Sequence, residues 1–213
     1  MNENFLKIPN SYLWLVRANK DFLIVLLYLY MACDCYTQRG CFALAELMAT
    51  SREKPTPARW NRLKKALALL VEKGILTLQN NPDIQAIKPR QLLRVDNFNY
   101  SYFQELDKGF VLIPNSHIRE LLRYRLKLSQ GNQHANVLNV YFEAMVRFDH
   151  KIRRTNFRHS ALAESLNISV EHVWECVEKL IKLKIFDNES SWREVGQTDC
   201  IYLILNRKLK EER

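Results

Sequence analysis

Only 5 glycines and 6 prolines occur among the 213 residues, so tight turns are few and much of the chain is expected to be helical. The scarcity of glycine also bears on chemistry. No G-x-x-x-x-G-K-[ST] is present, and without a phosphate-cradling loop the chain is not expected to hydrolyse nucleotides. No apolar run approaches the roughly 20 residues of a membrane-spanning helix, the longest being Phe22 to Ala32. That run ends in Tyr30-Met31-Ala32-Cys33, the outline of a lipoprotein signal. Lys20-Asp21 is a poor leader, however, and a similar segment returns later in the chain, so a core helix is expected. His117, His134, His150, His159 and His172 are scattered, with neither the His-x-His of metal-dependent nicking enzymes nor an H-E-x-x-H. The cysteines number 5, an odd count without disulfide-scaffold spacing, which points to a reducing, cytoplasmic setting. Cys33, Cys35 and Cys41 are the only clustered ones. Two residues apart on a helix, Cys33 and Cys35 do not share a face, so buried structural thiols are expected rather than a metal site. No carboxylate pair is tied to a pocket, and neither an enzyme nor a cofactor is expected.

What the chain has in excess is positive charge. Lys and Arg total 32 against 23 Asp and Glu, a net charge of +9, which favours a polyanionic partner, either nucleic acid or an anionic membrane surface. With 47% hydrophobic and 26% charged residues the balance is that of a soluble globular protein, long enough for one large or two small domains.

An internal repeat sets the organisation. Phe5-Leu6-Lys7-Ile8-Pro9-Asn10-Ser11 reappears as Phe110-Val111-Leu112-Ile113-Pro114-Asn115-Ser116. An apolar helix follows each, over Phe22–Cys33 and over Val137–Phe148. Ala43-Leu44-Ala45-Glu46 is matched by Ala161-Leu162-Ala163-Glu164, and each opens a short helix. Longer helices come next, Thr56–Lys73 and Ser169–Lys184. Their apolar positions Trp60, Leu63, Ala66, Leu67 and Leu70 answer Val170, Val173, Cys176, Val177 and Leu180. Gly74 stands where the first of these should stop. Two-stranded excursions close each half. Ile75–Leu78 turns at Asn80-Asn81-Pro82-Asp83 and returns through Ile84–Ile87 and Leu92–Val95, while Ile185-Phe186 returns through Cys200–Leu205.

Helix, helix, turn, helix, hairpin is the winged-helix plan. The expected fold is therefore mostly α with small β-hairpins, an α+β chain of two tandem winged helix-turn-helix domains, residues 1–100 and 101–213. The succession F-x-x-I-P-N-S, apolar helix, A-L-A-E, turn, long helix, G-I-L resembles the winged-helix modules of plasmid replication initiators and phage replisome-organiser proteins, over most of both halves. The resemblance implies sequence-specific binding of double-stranded DNA, contacts with replication proteins and a role at an origin.

In a helix-turn-helix the last helix enters the major groove, and its early outward residues meet base edges. By helical angle, Ala58, Asn61, Arg62 and Lys65 point away from the apolar face, with Arg59 and Lys64 on the flanks. Arg suits the guanine edge and Asn the adenine edge, so Arg62 and Asn61 are the expected base readers. Arg52, Lys54, Lys64 and Lys65 are expected on phosphates, and Thr56 as a cap that lends helix amides to one. The hairpin adds Lys88 and Arg90. In the second half the corresponding helix turns Glu171, His172, Glu175 and Glu178 outward, which suits protein contact such as homodimerisation better than DNA. Backbone contact there is expected from the basic run Arg147, His150, Lys151, Arg153, Arg154, Arg158 and His159. Two other functions fit the sequence: a transcriptional regulator lacking its own effector domain, and a winged-helix scaffold for protein contacts.

Overall fold

A computed structural model describes residues 5–34, 37–51, 55–99, 109–123, 133–149, 154–188 and 200–205. The chain is a mixed α+β protein with small antiparallel sheets. In order, the first half contains β1 (Phe5–Pro9), a 3-10 turn (Asn10–Tyr12), α1 (Leu13–Ala18), α2 (Phe22–Ala32), β2 (Gly40–Ala43), α3 (Leu44–Ser51), α4 (Pro57–Glu72), β3 (Leu76–Leu78) and β4 (Leu92–Phe98). The second half contains β5 (Phe110–Pro114), α5 (Asn115–Arg123), α6 (Gln133–Val146), β6 (Arg154–Arg158), α7 (His159–Leu166), α8 (Val170–Lys182), β7 (Phe186–Asn188) and β8 (Cys200–Leu205). Two three-stranded sheets, β2-β4-β3 and β6-β8-β7, have the same strand order.

Two helices form the centre. In α2, Phe22 to Leu27 and Leu29 are all buried, and in α6 so is every residue from Ala135 to Met145. α2 is apolar all round and has no face to give to water, so it must be enclosed, whereas α6 encloses Asn136, Asn139 and Glu143 along with its apolar residues. These two pack against each other, and the surrounding elements close over them in one continuous apolar cluster.

The F-x-x-I-P strands join the halves directly. β1 pairs antiparallel with β5, with Lys7 opposite Leu112, Phe5 opposite Pro114 and Pro9 opposite Phe110. Lys7 and Leu112 hold the same place in their motifs, so the ribbon has a local two-fold about that pair. Leu6, Ile8, Val111 and Ile113 point into the core. Around it, Tyr30 Oη in α2 donates to Asn115 Oδ1 at the start of α5 (2.9 Å).

Local chemistry explains the element ends. Glu46 Oε2 accepts from the Ala43 amide at 3.0 Å, which is why the first A-L-A-E opens α3, whereas α7 begins two residues before the second A-L-A-E, at His159, with no side-chain cap. The Gly74 φ of 69° ends α4, letting the Ile75 amide reach back to Leu70 O (3.0 Å). After α8, Lys184 takes the same left-handed conformation (φ 57°), and the Ile185 amide reaches Leu180 O (3.1 Å). Gly40 is required where β2 crosses the end of α2, since a Cβ there would lie 2.8 Å from Ala32 O. The stretch Ile84–Ala86 departs from the expected strand. It is a 3-10 turn whose cap, Asp83, accepts from the Gln85 amide, and Pro82 and Pro89 on either side disfavour a ladder there.

His117 is buried beside Tyr141, with Nδ1 2.8 Å from Oη, and burial pulls its pKa down to about 4. An unfolded chain protonates this ring near pH 6.5, whereas the folded chain resists until about pH 4. Stability is therefore expected to fall as pH drops from 6.5 to 4, by at most about 3 kcal/mol, and to be insensitive to this group outside that window. Urea unfolding of wild type and His117→Phe across that range checks it. The same slope in both proteins would exclude His117 as its source.

Candidate nucleic-acid interface

α4 is held at both ends of its exposed surface. At its start, Thr56 Oγ1 accepts from the Arg59 amide (3.3 Å) and Pro57 occupies the first turn, where its missing N–H costs nothing. Its inward face is Arg59, Leu63, Ala66, Leu67 and Leu70. Trp60, expected inward, is only half-buried, and Arg59, expected on the flank, is fully enclosed at 1% exposure. This corrects the placement of Arg59 among DNA contacts.

The cause is Asp21, at the turn between α1 and α2. Its carboxylate is buried. Arg62 Nε donates to Oδ2 at 2.7 Å, and Arg59 Nη2 lies 3.5 Å from Oδ1. Asn19 completes the clasp, its Oδ1 accepting from the Asp21 amide (3.0 Å) and its amide nitrogen donating to Arg62 O (3.1 Å). Burial pulls the Arg59 guanidinium down to about 10, which leaves it charged at neutral pH, and Lys20 beside it is lowered by burial and by Arg62. Arg62 thus differs from its expected role as well. It is tethered to a buried carboxylate and ties α4 to the α1–α2 turn. Sequence reading missed Asp21, whose signal was an acidic residue at the threshold of an otherwise apolar helix.

Ala58, Asn61 and Lys65 are exposed on the outward side of α4, and Lys64 is partly exposed. Lys64 Nζ donates to Gln85 O (2.6 Å), joining α4 to the loop between β3 and β4. That loop is also fixed to α3, through the Ala45 amide and Pro89 O (2.8 Å), and internally by the Lys88 amide and Gln91 Oε1 (3.1 Å). Lys88 and Arg90 are exposed on it, and Arg94, missed in the sequence, is exposed on β4. Arg52 and Lys54 lie outside the described residues.

In the second half Arg154 and Arg158 stand on the solvent side of β6 with Asn156 between them. Lys151 and Arg153 lie outside the described residues, as does His150. Arg147 and His159 leave the expected basic run. Arg147 Nη2 lies 3.5 Å from the buried Glu143 Oε2, and His159 is buried beneath Trp174, ring centroids 3.8 Å apart. The outward side of α8 is acidic as expected, with Glu171, Glu175 and Glu178 exposed and His172 partly so.

No family model matches the chain, and no curated protein matches it. Among the described residues no helix is long and apolar enough to cross a membrane, and no three His, Cys, Asp or Glu side chains gather as metal ligands. Of the thiols, Cys33 is buried and pushed up to about 11 by that burial, whereas Cys41 is exposed, against the expectation of burial. Cys35 lies outside the described residues.

Proposed function

We propose that the protein binds double-stranded DNA sequence-specifically, as a tandem winged-helix chain in which α4 enters the major groove and the β3–β4 loop acts as the wing. The observation that carries this reading is the link between Lys64 and Gln85 O (2.6 Å), which sets the exposed side of α4 and the loop bearing Lys88 and Arg90 in one basic surface. A helix that reads bases needs small or polar residues at its early outward positions, flanked by cations for phosphates. Ala58 and Asn61 meet the first need, and Lys64, Lys65, Lys88 and Arg90 the second. Asn61 takes over base reading from Arg62, whose Nε is committed to Asp21. Arg154 and Arg158 add a backbone contact from the second half. The resemblance of the motifs to plasmid and phage initiators favours a role in starting replication, with replication proteins as further partners.

Selection from a random duplex pool at physiological salt tests the binding. An enriched motif is expected. Asn61→Ala should relax preference at one base position by about 1–3 kcal/mol. Lys65→Ala should instead weaken all sequences alike and lower the salt slope by about 1. Equal effects from the two changes would overturn these roles, and no enrichment at all would overturn sequence-specific binding. Failure to support replication of DNA carrying its own locus would remove the initiator role alone.

A further inference from the structure

We infer that Lys20 contacts a DNA phosphate, on the strand opposite the one met by the β3–β4 loop. The inference rests on the reading that α4 enters the major groove, and it brings the α1–α2 turn into the interface.

Lys20 stands among cations. Its neighbours Asn19 and Asp21 are buried, and it is itself half-buried. Arg62 and Arg59 share the Asp21 carboxylate, at 2.7 and 3.5 Å, and Lys20 forms no ion pair of its own among the described residues. Three cations thus surround one carboxylate. Burial and the nearby Arg62 work against the Lys20 charge, and Asp21 offsets this only in part. A cation held in that position gains from an anion arriving out of solvent, and with α4 in the groove the anion that arrives is phosphate.

The main chain fixes Lys20 in place. Its carbonyl accepts from Asn139 Nδ2 of α6 (3.3 Å). Asn19 Oδ1 accepts from the Asp21 amide (3.0 Å), and Asn19 Nδ2 donates to Arg62 O of α4 (3.1 Å). The turn is therefore fastened to both helices before DNA arrives, and binding has only the end of one side chain to order.

Helical angle assigns the strand. Arg62 and Lys64 flank the outward side that carries Ala58, Asn61 and Lys65, about 160° apart around the axis. Beyond Arg62 lies the turn with Asp21 and Lys20, and beyond Lys64 lies the loop with Gln85, Lys88 and Arg90. A helix with its side chains is about 10–12 Å across, and the major groove of B-DNA is about 12 Å wide. A helix lying in the groove therefore has one phosphate strand along each flank. Lys20 meets one of them and the loop meets the other.

Salt titration of binding to a short mixed-sequence duplex tests the contact. Lys20→Met is expected to lower the slope of log K against log salt by about 0.9 and to weaken binding about threefold or more at physiological salt. Lys20→Arg should keep the slope, and Lys182→Met on α8, an equal loss of charge away from the interface, should not change it. Thermal unfolding of Lys20→Met should come at the same temperature or higher, because the change removes a cation from beside two arginines. A lower Tm with an unchanged slope would make Lys20 a structural residue and overturn the inference. On the selected motif, neutral methylphosphonates placed one at a time should stop weakening binding of Lys20→Met at a phosphate on one strand, and of Lys88→Met at a phosphate on the other. Both on the same strand would overturn the assignment. An unchanged slope in Lys20→Met, with Lys65→Ala lowering it, would remove the Lys20 contact and leave the groove reading standing, whereas no change in either would remove both. An equal loss in Lys182→Met would reduce the effect to net charge and overturn the contact.

Discussion

Replacing Asp21 by alanine is expected to cost about 3–5 kcal/mol of stability, the largest effect of any single substitution considered for this chain. Asp21 is not an exposed partner of convenience. Its side chain and that of Arg59 are each 1% exposed, so the change leaves a guanidinium enclosed without the carboxylate that balances it. Arg62 loses its bond to Oδ2 at the same time, and of the clasp between α4 and the α1–α2 turn the bond from Asn19 Nδ2 to Arg62 O remains. Denaturant unfolding measures the loss. The double variant Asp21→Ala, Arg59→Leu is expected to lose much less than Asp21→Ala alone, because the charge stranded by the first change is removed by the second. Additive losses would show that the carboxylate acts through packing rather than charge. Asp21→Asn keeps the shape and isolates the same term.

Arg17→Met is expected to cost about 3 kcal/mol through a different enclosed carboxylate. Glu143, at 0% exposure on α6, accepts from Arg17 Nε of α1 (2.9 Å) and from Ser165 Oγ of α7 (2.7 Å), with Arg147 3.5 Å away. Removing Arg17 leaves Glu143 with the neutral Ser165 hydrogen bond and the looser Arg147 contact. The figure sits at the low end of the range for broken buried pairs because Arg147 remains and Arg17 is 40% exposed. Arg17→Met with Glu143→Leu, which removes both charges and keeps the volume, should recover most of the loss. This ion pair crosses from one half of the chain to the other. Asn139 Nδ2, which donates to Lys20 O (3.3 Å), crosses beside it. The two predicted sites are therefore neighbours in one seam, and their variants should couple.

Much of this architecture was legible in the sequence because its signals are local. In the first half A-L-A-E announces a helix start through a carboxylate three residues from an amide, whereas the second A-L-A-E lies inside α7, which begins at His159. Gly74 announces a helix stop through a left-handed φ, and the apolar runs at Phe22 and Val137 announce enclosed helices. The acidic outward side of α8 follows from helical angle alone. What was not legible depends on residues remote in sequence. A helical wheel puts Arg59 on a flank, since no wheel contains Asp21. It assigns Arg62 to base reading for the same reason. Ile84–Ile87 alternates in a way that suits a strand, but Pro82 and Pro89 and the Asp83 cap prevail. The basic run in the second half looked continuous because the buried partners of Arg147 and His159, Glu143 and Trp174, are not beside them in the chain.

The pairing of β1 with β5 has a consequence for synthesis on the ribosome. Leu6 and Ile8 leave the exit tunnel well before Val111 and Ile113, because the strand that pairs with theirs lies in the second half of the chain. The whole first half must emerge before the ribbon can close, and loop-closure entropy opposes that closure until the α2–α6 contact rewards it. For that interval the nascent chain presents an unpaired apolar strand and an uncovered α2, the kind of surface that chaperones hold and that drives aggregation when two chains are translated side by side.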